Sequence, residues 1–362
     1  MAFQNIYAGK TVLVTGHAGF KGSWLAFWLK QMGANVVGYS LLPNSTETMY
    51  NVLGLEGCLV DSKIADICDA QTLEKFFAQH NPEIVFHLAA QPLVRLSYSL
   101  PVQTYQTNVM GTLNVLEAAR KTPSVHAVVN VTTDKCYENK EKEAGYTEDE
   151  PFGGHDMYSS SKGCSEILSA SYRRSFLMDG RPYALATARA GNVIGGGDWS
   201  ADRLVPDCIR AFQNNKTVEI RNPYATRPWQ HVLEPLAGYM LLGQKLLQHG
   251  NKFATGYNFG PECGHPVRVA DVAKQVADVW GNGKVVVGNG DGLHEATLLQ
   301  LDISKAKREL GFLPVWNEER AITETTRWYR EFYNGTNMTE YTEKQINAFL
   351  QAARAKGAQW SK

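Results

Sequence analysis

Short apolar runs alternate with longer helical patterns along the first half of the chain. β-Branched runs of a few residues indicate strands, and apolar residues repeated every three or four positions indicate helices. Strands are predicted at 10–15, 35–39, 64–67 (the end of the third strand), 84–90 and 127–131, and helices at 23–30, 70–80, 102–120, 158–176 and 343–356. This repeated order predicts an α/β fold built on a doubly wound parallel sheet.

A glycine-rich turn joins the first predicted strand to the first predicted helix. Gly16, Gly19 and Gly22 have the spacing GxxGxxG, and Phe20 and Lys21 stand between the last two glycines. Glycine lets the backbone approach a pyrophosphate, and a helix N-terminus offers free N–H groups to it. The turn therefore favours a dinucleotide-binding domain of the Rossmann type.

The residues after the second predicted strand do not show whether the protein binds NAD or NADP. Ser40 follows it, where an acidic residue would bind the adenosine ribose, and no arginine follows to accept a 2′-phosphate. NAD and NADP both stay open from this loop.

The order of elements also predicts two domains. We expect 1–188 to form the Rossmann domain, with later strands from about 218–260 returning to it. We expect 189–362 to form mainly a smaller C-terminal substrate-binding domain.

Chemically active side chains follow the predicted strand 127–131. Thr133, Asp134 and Lys135 place a hydroxyl, a carboxylate and an amine at its carboxyl end, where ligands bind to open parallel sheets. Tyr158 and Lys162 open the next predicted helix and share one face, because they are four residues apart. A nearby ammonium lowers the pKa of a tyrosine, so this pair is a candidate base.

Composition narrows the classes of function. Lys+Arg and Asp+Glu number 36 each, which gives no electrostatic argument for a nucleic acid or an anionic membrane as partner. The start of the sequence lacks the pattern of a signal peptide, and no apolar run is long enough to cross a bilayer. The six cysteines lack metal-ligand spacing, so we expect free thiols in the cytoplasm and no metal site.

Seven motifs in order, between about residues 10 and 330, resemble the extended short-chain dehydrogenase/reductase family. They are TGxxGxxG at 15–22, HLAA at 87–90, TNxxGT at 107–112, YxxxK at 158–162, RxxNxxG at 189–195, RPWQHV at 227–232 and YNxG at 257–260. The triplet 133–135 resembles the Thr-Asp-Glu of the nucleotide-sugar 4,6-dehydratases, with lysine as its third residue. A lysine there is typical of members that act on CDP-glucose and occurs in those that act on UDP-N-acetylglucosamine.

The resemblance implies a lyase that uses NAD to convert CDP-glucose into its 4-keto-6-deoxy derivative and water. Tyr158, aided by Lys162, would take the proton of the 4-hydroxyl, and Thr133 would hydrogen-bond the same oxygen. Asp134 would protonate the departing 6-hydroxyl. Lys135 would either be neutral and remove the C5 proton, or stay cationic and stabilise the enolate, and we favour the first interpretation.

The resemblance also implies which residues bind the ligands. The residues expected at the NAD site are Gly16, Gly19, Phe20, Lys21, Gly22, Asp66, Ile67, Leu88, Ala89, Ala90, Thr107, Tyr158 and Lys162. The residues expected at the substrate phosphates or nucleotide are Asn192, Arg203 and Arg227. An arginine fork matches the geometry of a pyrophosphate, and His231 is expected to be a packed structural residue.

The expected assembly and pathway come from the same resemblance. Relatives pair through two helices, here 102–120 and 158–176, so a homodimer is expected, with a dimer of dimers left open. The expected role is deoxysugar synthesis for the lipopolysaccharide O-antigen of a bacterial surface.

Three other functions are compatible with parts of the sequence. A UDP-N-acetylglucosamine-type dehydratase differs only in the substrate. A nucleotide-sugar 4-epimerase is disfavoured by Asp134 and Lys135, because epimerisation at C4 needs no acid or base at C5 and C6. A non-catalytic NAD-binding sensor is disfavoured because Tyr158 and Lys162 are both present.

Overall fold

The computed structural model describes residues 2–42, 45, 47–177, 183–220, 222–262, 267–288 and 298–362. The strands in these residues are β1 (Thr11–Thr15), β2 (Asn35–Ser40), β3 (Asp61–Ile64), β4 (Ile84–His87), β5 (Ala127–Val131), β6 (Ala184–Arg189), β7 (Val193–Ile194), β8 (Thr217–Ile220), β9 (Thr226–Arg227), β10 (Gln230–His231), β11 (Gly256–Asn258), β12 (Val267–Arg268) and β13 (Lys284–Val287). The α-helices are α1 (Phe20–Gln31), α2 (Met49–Val52), α3 (Ala70–His80), α4 (Val94–Ser99), α5 (Pro101–Tyr105), α6 (Thr112–Lys121), α7 (Met157–Phe176), α8 (Leu204–Gln213), α9 (Leu233–His249), α10 (Val269–Trp280), α11 (Glu318–Tyr333) and α12 (Met338–Ala355).

Seven strands form one sheet in the order β11-β6-β5-β4-β1-β2-β3, and every neighbouring pair is parallel. The chain winds from β1 towards β3 in one direction and from β4 towards β11 in the other. Ligands bind where the strand order reverses in this way, at the carboxyl ends of β1 and β4. The predicted doubly wound parallel sheet is confirmed.

Helices cover both faces of the sheet and divide its core. Successive side chains of a strand point to opposite faces. Val12 and Val14 therefore pack with Trp24 of α1 on one side, while Leu13 packs with Phe77 of α3 on the other. Because both faces are buried, the strands appear in the sequence as continuous apolar runs.

The chain leaves the sheet after β6 and forms smaller paired elements. β7 pairs with β10 and β8 with β13 in parallel, and β9 pairs with β12 in antiparallel orientation. Between β10 and β12 the chain returns to the sheet as β11, which pairs with β6 at the edge. The division of the chain into domains at residue 188 stays a prediction.

Element boundaries differ from the predicted ones at several places. The third and fourth strands end at Ile64 and His87, so the residues that follow each lie in loops at the sheet edge. The predicted helix 102–120 is interrupted by a π-helical segment, Gln106–Gly111. In that segment the buried amide of Asn108 donates to Gln91 O at 3.1 Å and to Ser161 Oγ at 2.9 Å, contacts that lie outside any helical pattern.

None of the helices in the described ranges is long and apolar enough to cross a membrane. Five of the six cysteines lie in the described ranges and are free: Cys58, Cys68, Cys136, Cys164 and Cys208. Cys263 lies outside the described residues.

Candidate active site

The glycine-rich turn packs too tightly for side chains. Gly16 has φ +75°, and a Cβ there would lie 2.7 Å from the backbone nitrogen of Ala89. A Cβ on Gly22 would overlap the carbonyl oxygen of Gly16, whose position is held by a 3.0 Å hydrogen bond from the N–H of Gly19. The turn therefore brings backbone N–H groups at the start of α1 next to the ends of β1 and β4, as a bound diphosphate requires.

A cavity of about 540 Å³ continues along this edge of the sheet and is lined by Asp66 and Thr107. Asp66 accepts a hydrogen bond from the N–H of Cys68 at 2.9 Å. Ile67 is buried, and its side chain fills the space beside Gly111. The predicted dinucleotide residues after β3 thus lie beside those of the π-helical segment.

A second cavity, of about 1420 Å³, brings the predicted catalytic and substrate residues together. The predicted residues on its wall are Phe20, Lys21, Thr133, Asp134, Lys135, Tyr158, Asn192, Arg203 and Arg227. Its volume exceeds what a single sugar needs and is large enough for a nucleotide sugar. Strand ends, loops and the first turn of α7 all contribute to this wall, although their residues are far apart in sequence.

Lys162 is not on the wall of this cavity but is buried behind it. Its ammonium donates to the carbonyl oxygen of Val131 at 3.1 Å. Burial, together with the nearby Lys21 ammonium, lowers the pKa of Lys162 to about 8. Lys162 thus links α7 to the end of β5.

The pKa of Tyr158 is shifted in the direction opposite to the one expected from the sequence. Burial is the main cause of the rise and the Asp134 carboxylate adds to it, while the Thr133 hydroxyl opposes it; together they raise the pKa of Tyr158 to about 12. The sequence predicts that the Lys162 ammonium lowers the pKa of Tyr158. In the structure burial raises this pKa instead, and the Lys162 ammonium is directed at Val131 O.

Asp134 is buried and held by two side chains. Its Oδ1 accepts from Thr133 Oγ1 at 2.9 Å and its Oδ2 from Asn192 Nδ2 at 3.3 Å. Asn192 has φ +50°, a left-handed conformation that asparagine adopts more readily than most residues. A predicted substrate residue therefore also orients the predicted acid.

The predicted family is confirmed by similarity to known proteins. A model of the GDP-mannose 4,6 dehydratase family matches residues 13–325. The chain belongs to this family. It is 45% identical over 357 residues to CDP-glucose 4,6-dehydratase of Salmonella typhimurium, which covers 97% of this chain and 99% of that protein. It is 30% identical over 332 residues to dTDP-glucose 4,6-dehydratase of Streptomyces antibioticus, with coverage of 88% and 92%.

Solved structures of proteins with low sequence identity to this chain have the same fold. The NAD complex of dTDP-glucose 4,6-dehydratase from Bacillus anthracis has a TM-score of 0.75 at 22% identity, covering 91% of this chain and 99% of that one. An epimerase from Methanothermobacter thermautotrophicus has a TM-score of 0.78 at 24% identity, covering 92% and 95%. Because dehydratases and epimerases share this fold, the fold alone does not show which reaction the protein catalyses.

Cations surround the cavity of this family member. Burial and, to a smaller extent, the neighbouring Arg203 lower the pKa of Lys21, Asp134 and Asp198 oppose the shift, and the result is about 8. Arg203 is 3.4 Å from Asp198 and is about one-third exposed. Arg227 donates to the carbonyl oxygen of Thr226 at 2.8 Å. A diphosphate in this part of the cavity would meet several positive charges.

Lys135 lies on the cavity wall and is half-buried. Its backbone N–H donates to Thr133 Oγ1 at 3.3 Å, within the short 3-10 turn Asp134–Cys136. This turn fixes the backbone of the triplet directly after β5. His231, by contrast, is buried between the rings of Trp24 and Trp316, in line with a structural role.

Sequence reasoning missed a buried ion pair behind the site. Arg189 Nε lies 2.9 Å from Glu166 Oε1, and both side chains are almost fully buried. Glu166 also accepts from Thr132 Oγ1 at 2.5 Å, and Arg189 donates to the Tyr137 hydroxyl at 2.5 Å. The available signal was the position of Glu166, four residues after Lys162 on the same face of α7.

A second missed network fixes the ends of β1 and β4. The Thr15 hydroxyl is 2.7 Å from His87 Nδ1, and the opposite ring nitrogen of His87 is 3.0 Å from Thr112 Oγ1. Leu88 N donates to Thr15 O at 3.1 Å and Ala89 N to Thr15 Oγ1 at 3.3 Å. These bonds hold Leu88, Ala89 and the adjoining Ala90 beside the glycine-rich turn.

Proposed function

We propose that this protein is an NAD-dependent dehydratase that converts CDP-glucose into CDP-4-keto-6-deoxyglucose and water. The identity of 45% over nearly the whole length of a CDP-glucose 4,6-dehydratase carries the proposal. The grouping of Thr133, Asp134, Lys135 and Tyr158 on one cavity wall supports it, because the elimination of water needs both an acid and a base beside the sugar.

The NAD site would be formed by the turn 16–22 and by the residues at the ends of β3 and β4. The close approach of Gly16 to Ala89 and of Gly22 to Gly16 leaves backbone rather than side chains facing the ligand, which suits a diphosphate. Lys21 and Thr107 would contribute side chains on either side. NAD, when bound, supplies the oxidation at C4 and the later reduction at C6.

Each catalytic side chain would have one task. Tyr158 removes the proton from the 4-hydroxyl, while Thr133 hydrogen-bonds the same oxygen. Once C4 is a ketone, the C5 hydrogen is acidic, and Lys135 acts on it. Asp134 protonates the 6-hydroxyl as the bond to C6 breaks, which allows water to leave. Lys162 holds the start of α7 against β5 and supplies positive charge behind Tyr158.

The diphosphate of the substrate would bind among Arg203, Arg227 and Asn192. Guanidinium groups match the paired oxygens of a diphosphate and stay charged at any physiological pH. Lys21 faces the same cavity, which strengthens the attraction for an anionic ligand.

An epimerase is the second candidate, because solved epimerases share the fold. Buried Asp134 and cavity-lining Lys135 favour the dehydratase, since epimerisation at C4 uses neither group.

We further propose a homodimer formed through the two segments 102–120 and 158–176. Apolar side chains in these segments are exposed in the single chain, which favours burial against a second copy. They include Met110, Ile167 and Phe176. A cytoplasmic location and a role in O-antigen deoxysugar synthesis are proposals that rest on the family resemblance.

A substrate panel tests the reaction. The purified protein with NAD is incubated separately with CDP-glucose, dTDP-glucose, UDP-glucose and UDP-N-acetylglucosamine, and each mixture is assayed for the alkaline chromophore of a 4-keto sugar. We expect the highest kcat/KM with CDP-glucose and no product from the Tyr158→Phe variant. Product from another nucleotide sugar alone would reassign the substrate, a C4 epimer without keto sugar would indicate an epimerase, and no product at all would favour a sensor.

A further inference from the structure

The turn that carries the three proposed catalytic side chains, residues 133–136, is called the active-site turn below. Inside it, the N–H of Lys135 donates to the Thr133 hydroxyl at 3.3 Å, and the N–H of Cys136 donates to the Thr133 carbonyl oxygen at 3.4 Å. Both distances are long for N–H donors, so these bonds are weak. The position of the turn therefore depends on the residues that flank it.

The residue before the active-site turn is anchored to α7. Thr132 Oγ1 donates to Glu166 Oε1 at 2.5 Å. One turn earlier on the same helix, the Lys162 ammonium donates to the carbonyl oxygen of Val131 at 3.1 Å. Two successive residues at the end of β5 thus bond to two successive turns of α7, the helix that also carries Tyr158.

The residue after the active-site turn is anchored to the ion-pair partner of Glu166. Arg189 Nη1 donates to the Tyr137 hydroxyl at 2.5 Å and to the carbonyl oxygen of Glu148 at 3.2 Å. The Tyr137 hydroxyl in turn donates to Asn258 Oδ1 at 2.8 Å. Tyr137, the first residue beyond the turn, is therefore fixed through its side chain by Arg189.

Glu166 and Arg189 meet through two parallel hydrogen bonds. Arg189 Nε donates to Glu166 Oε1 at 2.9 Å, and Nη2 donates to Oε2 at 3.0 Å. Burial would raise the pKa of Glu166, but the Arg189 guanidinium and the hydroxyl donors lower it below its ordinary value, so the carboxylate is charged. Hydrogen bonds to a charged acceptor are shorter and stronger than neutral ones. Thr132 and Tyr137 are thus held by the two halves of one bidentate contact.

The Glu166–Arg189 pair contributes geometry more than net stability. The two side chains are 1% and 4% exposed, and the cost of removing two charges from water offsets much of their attraction. The bidentate contact, however, fixes the distance and the orientation of the two side chains. A displacement of a catalytic group by about 1 Å can lower a rate roughly a hundredfold. A contact that fixes both flanks of the active-site turn therefore affects the reaction through position.

We propose that the Glu166–Arg189 pair positions the active-site turn, holding it from both ends and so setting the distance between its side chains and Tyr158. Glu166 acts through Thr132 before the turn, and Arg189 acts through Tyr137 after it. Neither charged side chain is among those that line the cavity, so both are positioning residues and not catalytic ones.

Thr132→Val and Thr187→Val form a matched pair of variants. Each removes one hydroxyl that donates to the Glu166 carboxylate, since Thr187 Oγ1 donates to Oε2 at 2.7 Å, and valine keeps the shape of threonine. Both threonines are buried, but Thr187 lies within β6 and only Thr132 adjoins the active-site turn. A purely structural pair is weakened alike by both variants, whereas a positioning pair transmits only the loss at Thr132 to the turn.

The first measurement, which rests on the proposed function, is kcat and KM for the keto sugar formed from CDP-glucose by the holoenzyme. We expect Thr132→Val to lower kcat about tenfold or more. KM should stay nearly unchanged, because the proposed phosphate-binding residues Arg203 and Arg227 are not displaced. Thr187→Val should keep the wild-type kcat, while both variants shift the midpoint of urea unfolding by similar amounts.

Thr132→Ser retains the hydroxyl and should recover most of the wild-type kcat. If both valine variants lower kcat equally, or neither lowers it, the pair has only a structural role and the proposal is overturned.

Hydrogen–deuterium exchange in the active-site turn gives a second readout that does not depend on turnover. The amides of Lys135 and Cys136 are expected to exchange faster in Thr132→Val and at the wild-type rate in Thr187→Val. Tyr137→Phe, which releases the other end of the turn from Arg189, should also speed exchange, and it replaces Thr132→Val if circular dichroism shows that variant to be unfolded. Equal exchange in the wild type and all variants overturns the positioning role.

The positioning role and the proposed function fail in different ways. A wild type that forms keto sugar, with equal kcat in the two valine variants, overturns the positioning role alone. A wild type that forms no keto sugar overturns the proposed function, and exchange in the active-site turn then decides by itself whether the Glu166–Arg189 pair holds the turn.

Discussion

Asp134 and Gly191 are packed face to face in the active-site cavity. A Cβ on Gly191 would lie 2.5 Å from Asp134 Oδ1 and closer still to Oδ2. The absence of a side chain at position 191 therefore allows the carboxylate to sit where Thr133 and Asn192 both reach it. Gly191 belongs to the RxxNxxG motif, so this motif shapes the position of the proposed acid as well as the proposed substrate site.

The first prediction concerns Gly191→Ala. The added methyl displaces the Asp134 carboxylate, and misplacement of a catalytic group by about 1 Å costs roughly a hundredfold in rate. We expect kcat for the keto sugar to fall by about that factor while reduction of the cofactor, seen in single turnovers, is largely retained. Gly57→Ala is the matched control, because a Cβ at Gly57 meets no atom within 4 Å. An unchanged kcat in Gly191→Ala would show that Asp134 does not need its observed position.

The second prediction separates the two roles considered for Lys135. Lys135→Met is expected to abolish the incorporation of solvent deuterium at C5 and to leave C4 oxidation in place. Lys135→Arg keeps the positive charge but cannot act as a base near neutrality. If Lys135 is the base, the Arg variant is as inactive in exchange as the Met variant. If Lys135 stabilises the enolate as a cation, the Arg variant retains exchange, as measured by mass spectrometry of the product. Normal exchange in Lys135→Met would exclude both roles.

The parallel sheet is predictable from the sequence because buried strands must be continuously apolar. The runs at 84–90 and 127–131 show this pattern, and their polar continuations meet because the carboxyl ends of parallel strands lie at one edge. Thr133 could therefore be placed at the ligand-binding edge of the sheet without a structure, whereas the position of Tyr158 beside it was implied by the family resemblance. The π-helical segment Gln106–Gly111 could not be predicted, because it depends on contacts of Asn108 with residues distant in sequence.

The electrostatics of the site was the least predictable feature. The spacing of Tyr158 and Lys162 shows that they share a helix face, but it does not show where each side chain points. In the structure Lys162 donates to Val131 O, and burial dominates the pKa of Tyr158. The Glu166–Arg189 pair was missed for the same reason, since partners on α7 and β6 meet only after the chain has folded.

The third prediction concerns assembly. Ile167 of α7 is 54% exposed in the single chain, and a charge placed there would be buried in the proposed dimer at a cost of several kcal/mol. We therefore expect Ile167→Glu to sediment as a monomer under conditions where the wild type is a dimer. Val287→Glu, at a position of β13 that is 65% exposed and far from α7 in the fold, is the matched control and should stay dimeric. A monomeric wild type, or a dimeric Ile167→Glu, would contradict the proposed interface.

The fourth prediction concerns the dependence of stability on pH. Burial lowers the pKa of His231 from its ordinary 6.5 to about 3, so the folded state holds the ring neutral where the unfolded chain binds a proton. The contribution of His231 is thus fully present above about pH 6.5 and is lost as the pH falls towards 3. Between these values it adds about 1.4 kcal/mol per pH unit to the slope of the free energy of unfolding.

His231→Asn should remove this slope while also lowering stability at every pH, because the smaller side chain leaves a gap between Trp24 and Trp316. The decisive measurement is the change in the free energy of urea unfolding between roughly pH 6 and pH 5, compared between variant and wild type. We expect the variant's change to be smaller by about 1.4 kcal/mol. His126→Asn, at an exposed position, is the control and should keep the wild-type slope. Equal slopes for His231→Asn and the wild type would show that the folded protein accommodates a protonated His231, and that burial beside the two indoles does not hold the ring neutral.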